Sequence, residues 1–229
     1  MTIKNAAAYL DERGIQLAAP RISELGGGVS NTVLLVESES IRLVIKQAMA
    51  KLRVEQEWLA DRERIFREAA ALRQLAPHLP EGALPAVMFE DRENFTFAMS
   101  AAPARSVCWK ELLLEGKIQV RTAERVGELL ALMASVSWRG AAWESEFGDQ
   151  TVFDQLRIDP YYRATARKHP DLYPRAARLI EQSAGRRVSL THGDWSPKNF
   201  LVHGDQLMAI DFEVIHFGDP SFEIGRAHV

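Results

Sequence analysis

The amino-acid sequence predicts an α+β chain, in which a small antiparallel sheet carrying one helix is followed by a mostly helical half. Three observations point there. Runs rich in β-branched residues, joined by short polar turns, fill much of the first hundred positions. Among them, residues 54–75 form a long charged segment whose Phe66, Ala69, Ala70, Leu72, Arg73 and Leu75 fall on one side of a helix. After residue 105 helical spacing takes over, until strand-like runs return near residue 188.

In chain order, a short helix is expected over 4–13, closed by Gly14. Residues 21–25 lead as a strand into three consecutive glycines. NTVLLVE at 31–37 and IRLVIKQ at 41–47 are two further strands, joined by the polar turn at 37–40. The helix at 54–75 ends before Pro77 and Pro80, because a proline has no N–H to donate and its ring strikes the preceding turn. Strands at 84–90 and 94–100 around Asp91-Arg92-Glu93 complete a five-stranded antiparallel sheet. The small, proline-containing stretch 101–105 marks a boundary. Helices follow at 109–114, stopped by Gly116, and at 120–138, with Val120, Ala123, Val126, Leu130, Met133 and Ala134 at core spacing. Helical segments at 153–157, 161–167 and 172–182 are expected to break at Pro160 and Pro170. A strand at 188–191, a polar loop at 192–198 and a hairpin of 200–203 with 206–210 around Gly204-Asp205 follow.

Composition narrows the function classes. A formal charge of −3 offers no basic surface for nucleic acid or anionic membrane. The single cysteine, Cys108, excludes an internal disulfide and is expected to be a buried structural thiol. The apolar stretch 6–10 is too short for a secretory signal and runs into Asp11, Glu12 and Arg13. No segment has the length of a membrane span, so the expected location is the cytoplasm.

Five features with chemical content occur in a fixed order. Gly26-Gly27-Gly28-Val29-Ser30-Asn31 lies between two strands, where glycines let backbone N–H groups approach phosphates closely. Lys46, near the end of the third strand, would point at the α- and β-phosphates beneath that loop. Glu68 is the acidic residue expected to hold Lys46, with Glu63 as the alternative, because Leu72 and Leu75 place Glu68 at the edge of the apolar stripe. His192-Gly193-Asp194-Trp195-Ser196-Pro197-Lys198-Asn199 follows a short strand. Asp194 there can accept the proton of an attacking hydroxyl, Asn199 can hold a metal, and Lys198 can touch the γ-phosphate. Asp211-Phe212-Glu213 ends the hairpin seventeen residues past Asp194, and its carboxylate can chelate Mg2+ on the β- and γ-phosphates.

These motifs resemble the aminoglycoside phosphotransferase and choline kinase superfamily, from about Leu25 to Phe222. The resemblance rests on His192–Asn199 read as H-G-D-x-x-x-x-N, on Asp211-Phe212-Glu213, and on Gly218-Asp219-Pro220. Protein kinases carry Arg where this chain has Gly193, and Gly where it has Glu213; both departures match the small-molecule branch. The resemblance implies a bilobal protein-kinase-like fold. Residues 1–100 would be the nucleotide-binding lobe, 101–105 the hinge and 106–229 the catalytic lobe, with further helices missing at the C-terminal end. It implies ATP and Mg2+ as cofactors, Asp194 as base, Asn199 and Asp211 as metal ligands, and Lys46 with Glu68 as phosphate clamp. Adenine would lie against the backbone of Ser100, Ala101 and Ala102, behind Met99. The last six residues, Ile224 to Val229, match the translation of a common sequencing-adapter oligonucleotide and are expected not to be native sequence.

Other polar and aromatic residues receive structural roles. His192 is expected to anchor its loop by hydrogen bonds, and Asp219 to order the segment behind the metal. His203 and Asp205 read as turn residues, His216 as a lone histidine without a partner, and Trp138 and Trp143 as packing aromatics, with an aromatic wall for an acceptor as the alternative. The expected function is transfer of the γ-phosphate of ATP to a hydroxyl of a small molecule such as an aminoglycoside, choline or a sugar. A regulatory nucleotide-binding module without turnover and a metal-dependent phosphohydrolase are the rivals. No protein, nucleic-acid or membrane partner is expected.

Overall fold

The computed structural model describes residues 1–26, 30–49 and 61–226. Gly27, Gly28, residues 54–60 of the expected helix and residues 227–229 of the tail lie outside the described residues. The chain divides into two compact units, Met1–Arg73 with Pro85–Ala102, and Gln74–Leu84 with Pro103–Val229.

The first unit begins with α1 (Ala6–Asp11), after which Gly14 takes φ +75°, a left-handed turn that costs glycine nothing. Its sheet contains β1 (Arg21–Glu24), β2 (Asn31–Glu37), β3 (Arg42–Ala48), β4 (Val87–Asp91) and β5 (Thr96–Ser100) in the order β1-β2-β3-β5-β4, antiparallel throughout. Leu34 lies opposite Ile45 and Val36 opposite Leu43. With Ala6 and Leu10 of α1 these residues form a fully buried cluster. Each buried Leu, Ile or Val side chain of this cluster contributes roughly 1.5–3 kcal/mol by leaving water. Successive strand residues point to opposite faces, so Ile45 faces α1 while Lys46 takes the other face. Phe97, opposite Lys46, and Met99, opposite Val44, share that second face. There Lys46 meets Glu68 of α2 (Arg64–Leu75).

The second unit opens with β6 (Val107–Cys108), α3 (Trp109–Leu114), α4 (Val120–Ser137) and α5 (Ala141–Phe147). The short α6 (Thr151–Phe153) continues into a π-helix over Asp154–Arg163 and then α7 (Ala164–Lys168). A 3₁₀ turn at Pro170–Leu172 leads to α8 (Tyr173–Gly185). The remainder is β7 (Ser189–Thr191), a 3₁₀ turn at Pro197–Asn199, β8 (Phe200–His203), β9 (Gln206–Ala209), β10 (His216–Gly218) and α9 (Ser221–Arg226). β6, β8 and β9 form one sheet and β7 pairs with β10. The N–H of Leu190 donates to Ser137 Oγ at 2.8 Å, which ties the end of α4 to β7.

Several sequence expectations are corrected. The helix expected over 54–75 starts, among the described residues, at Arg64. Pro160 does not break the chain's helical path; it sits inside the π-helix, whose wider turn moves the carbonyl that the ring would otherwise strike. Cys108 is only half-buried, because its two-residue strand forms the sheet edge, and its thiol lies 3.5 Å from Lys198 O and 3.7 Å from Pro197 O. Trp138 is 51% exposed, since α4 ends one residue before it. Trp143 does pack, stacked on Phe147 at 6.1 Å. His216 is not a lone histidine: it is buried, its Nδ1–H donates to Val214 O at 3.0 Å, and its ring stacks on Phe153 at 3.9 Å.

Candidate active site

In the first unit, alternation along β3 turns Lys46 toward α2, where Nζ lies 2.7 and 3.0 Å from the two carboxylate oxygens of Glu68. Both side chains are buried, at 4% and 0% exposure. A buried charge pair is tolerated only when each member satisfies the other, and this pair is bidentate. Glu63, the alternative acid, has its side chain 57% exposed and 3.7 Å from Arg92. The glycine run enters β2 through Ser30 and Asn31, both buried. Arg64, at the start of α2, donates from Nη2 to Ser30 O at 2.5 Å, to Met49 O at 3.2 Å and to Asn31 Oδ1 at 3.3 Å. One guanidinium thus joins the end of β3 to the start of β2. Gly26, at the run's other end, has open space where a Cβ would stand.

Met99 is buried at the second face of the sheet. The N–H of Ser100 goes to Ala86 O at 2.8 Å and that of Ala101 to Arg42 O at 3.2 Å. Ala102 O accepts from the Arg42 guanidinium. These three backbone groups are therefore committed within the unit.

In the second unit the loop after β7 is built around buried anchors. His192 is fully enclosed, edge-on to Phe212 at 4.4 Å and to Trp195 at 5.3 Å. Its Nδ1 accepts the Asp194 N–H at 3.2 Å, so Nε2 carries the proton and donates to Ile210 O at 3.1 Å. Burial pushes its pKa down to about 4, against the opposing pull of the Asp194 and Asp211 carboxylates. A neutral ring is the form that Nδ1 needs in order to accept. Gly193 sits at φ +81°, and a Cβ there would stand 2.8 Å from Val214 Cγ2 and 3.2 Å from Val214 O. Backbone geometry therefore requires glycine at the position where protein kinases carry Arg.

Asp194 is fully buried. Its Oδ2 receives Arg157 Nη2 at 2.8 Å and Lys198 Nζ at 2.7 Å, and Ser196 Oγ lies 3.5 Å from Oδ1. Asn199 Nδ2 donates to Asp194 O at 2.9 Å. The hairpin then brings Ile210 N–H onto Asn199 O at 3.0 Å, and the next residue, Asp211, turns at φ +69°, a conformation that Asp adopts more readily than most residues. So Asp194, Lys198 and Asn199 are brought together directly, and Asp211 is held beside them through one backbone bond. Asp219 caps α9, accepting the Ser221 N–H at 3.0 Å.

Three residues not foreseen from the sequence complete the arrangement. Arg157, on the π-helix, also donates from Nε to Gly193 O at 2.9 Å. Glu223, 1% exposed, accepts Gly193 N–H at 2.6 Å and Trp195 N–H at 3.1 Å. Arg64 is the third. Nothing in local spacing marks them, because these partners lie 15 to 37 residues away in the chain.

Among the described residues no three His, Cys, Asp or Glu side chains cluster as a metal site. The candidate donors are instead one carboxylate, Asp211, and one carboxamide. With Asn199 Nδ2 bound to Asp194 O, its Oδ1 is the atom left for a cation. Two oxygen donors suit Mg2+, which keeps several waters and takes the rest of its shell from phosphates.

The model of the phosphotransferase enzyme family matches residues 21–229. This chain belongs to that family. The chain is 29% identical over 255 residues to methylthioribose kinase 2 of Oryza sativa subsp. japonica, a match covering 97% of this chain and 58% of that protein. It is 28% identical over 234 residues to methylthioribose kinase of Escherichia coli O45:K1 (strain S88), covering 90% and 56%. The chain thus spans about three-fifths of the length of these relatives. The ADP-bound crystal structure of aminoglycoside phosphotransferase APH(2'')-Ib superposes with a TM-score of 0.61 at 18% identity, over 95% of this chain and 73% of that one. The chain therefore has the same α+β, protein-kinase-like fold. Among its described residues no helix is long and apolar enough to cross a membrane.

Proposed function

We propose that this chain is the nucleotide-binding and catalytic portion of a small-molecule kinase that moves the γ-phosphate of ATP to an alcohol hydroxyl. The observation that carries this reading is the buried Asp194, held by Arg157 and Lys198 and joined through its carbonyl to Asn199. Asp194 orients the acceptor hydroxyl and takes its proton as the oxygen attacks phosphorus. Lys198 neutralises charge on the transferred group, and Lys46, pre-set by Glu68, binds the α- and β-phosphates next to the glycine run. Adenine lies against the backbone of 100–102, behind Met99, by packing and not through the Ser100 and Ala101 N–H groups, which are bonded within the unit. Asn199 and Asp211 would hold Mg2+, which when bound neutralises the β- and γ-phosphate oxygens. Much of the rate gain is positioning. The cytoplasm supplies the ATP.

Methylthioribose kinases among the relatives favour a sugar-like acceptor over a protein one. A regulatory module without turnover would have no need of a buried Asp held by two cations. A metal-dependent phosphohydrolase would leave the buried Lys46–Glu68 pair without a task. The deciding experiment is Asp194→Ala assayed with ATP and a panel of hydroxyl acceptors. Turnover should vanish while nucleotide affinity stays within about threefold. Near-full activity in that variant would end the proposal.

A further inference from the structure

The second unit contains a cavity of about 850 Å³ bounded by α3, the π-helix, α7, α8 and the loop that carries Asp194. Its wall is mostly apolar, with Leu113, Tyr162 and Leu179 contributed by three different elements. Ser196, Pro197 and Lys198 form the side nearest the catalytic loop, and Lys198 Nζ is itself 2.7 Å from Asp194 Oδ2. Lys198 thus links the cavity wall to the proposed proton acceptor, which is itself buried behind it.

Its charges are all of one sign. Lys110, Arg175 and Lys198 line it, and no Asp or Glu of the described residues does. Lys198 is paired with Asp194, whereas Lys110 and Arg175 make no ion pair with any described residue.

We propose that this cavity binds the phosphoryl acceptor and selects one with an apolar portion and at least one negative charge, rejecting polycations. The inference rests on the kinase reading above for the word acceptor, and on the cavity itself for the selectivity. A polycation would give up water with no carboxylate in the cavity lining to replace it, and would face the charges of Lys110 and Arg175, which no described carboxylate offsets. The tyrosine faces could attract one cation, but not against that field. An acceptor with an apolar body and an anionic group fills the apolar wall and pairs with Lys110 or Arg175. Its hydroxyl is left for the Asp194 side.

Three probes of similar hydroxyl chemistry separate the possibilities by titration calorimetry on the intact chain. They are phenyl glucuronide (apolar and anionic), phenyl glucoside (apolar and neutral) and kanamycin (polycationic). The glucuronide should bind at least tenfold tighter than the glucoside, and kanamycin weakest. Lys110→Glu combined with Arg175→Glu should abolish or invert that order with ATP affinity unchanged, and the milder Lys110→Gln with Arg175→Gln should reduce the preference several-fold. Equal affinities, tighter kanamycin binding, or an unchanged order in the charge-reversed variant would overturn the inference. So would probe affinity that weakens as protein concentration rises, since a second copy of the chain would then be the occupant. Binding is read without turnover. The expected order without phosphate transfer would support the selectivity of the cavity and count against the kinase reaction alone.

Discussion

Arg157 Nη2 donates to Asp194 Oδ2 at 2.8 Å while its Nε holds the neighbouring Gly193 carbonyl at 2.9 Å. One planar guanidinium therefore sets both the charge and the direction of the proposed base. Lys cannot reproduce that fork. Arg157→Lys is expected to lower kcat about 10- to 100-fold by misplacing Asp194, with KM for ATP nearly unchanged. Steady-state kinetics on the full enzyme would check it, and a rise confined to KM would contradict the assigned role.

The Lys46–Glu68 pair separates stability from function. Glu68→Gln or Lys46→Met leaves one buried charge alone, and each is expected to lose about 3–5 kcal/mol. The double variant Lys46→Met with Glu68→Leu removes both charges and should recover much of that loss. Its nucleotide affinity should stay poor. Urea denaturation and nucleotide titration on the same four proteins give both readouts. A double variant no more stable than the singles would contradict the physical account.

His192 supplies a pH signature. Its pKa is depressed to about 4 by burial, whereas an unfolded histidine titrates near 6.5. Between those values the unfolded chain binds the proton and the folded one does not. Stability from this group is therefore complete above about pH 6.5 and declines as pH falls toward 4, by up to about 3 kcal/mol. His192→Asn retains an acceptor for the Asp194 N–H and removes the titration. Urea midpoints at pH 7 and pH 5 should differ less in the variant than in the parent; an equal difference would exclude His192 as the source.

Gly193 and Glu223 test the loop's anchoring. Gly193→Ala places a Cβ 2.8 Å from Val214 Cγ2 in a left-handed conformation, with an expected cost of at least about 1–2 kcal/mol. Glu223→Gln exchanges one accepting oxygen for an NH2 facing a backbone N–H and should cost about 1–3 kcal/mol. Thermal denaturation reads both, and hydrogen exchange at Gly193 and Trp195 should rise selectively in the Glu223 variant. Unchanged exchange there would remove Glu223 from its anchoring role.

Asp194, Asn199 and Asp211 stood out in the sequence because loop, hairpin and strand lengths constrain one another over a short span. The five strands were legible for a similar reason: β-branched alternation is a local signal, and antiparallel neighbours need only short turns. Glu68 could be chosen over Glu63 because helical spacing alone placed it nearer the apolar stripe. The π-helix was not legible, since Pro160 argues locally for a break and only tertiary packing of Leu156, Arg157 and Ile158 favours continuity.

The order of chemical residues along the chain, the alternation that points Lys46 away from α1, and the requirement for small residues in two turns were all present in the linear text, because each depends on spacing within a few residues. Which cations approach Asp194, which carboxylate ties down its loop, and which face of the π-helix lines a cavity came only with the folded chain. Those are contacts between segments tens of residues apart. Long-range burial, not local propensity, selects them.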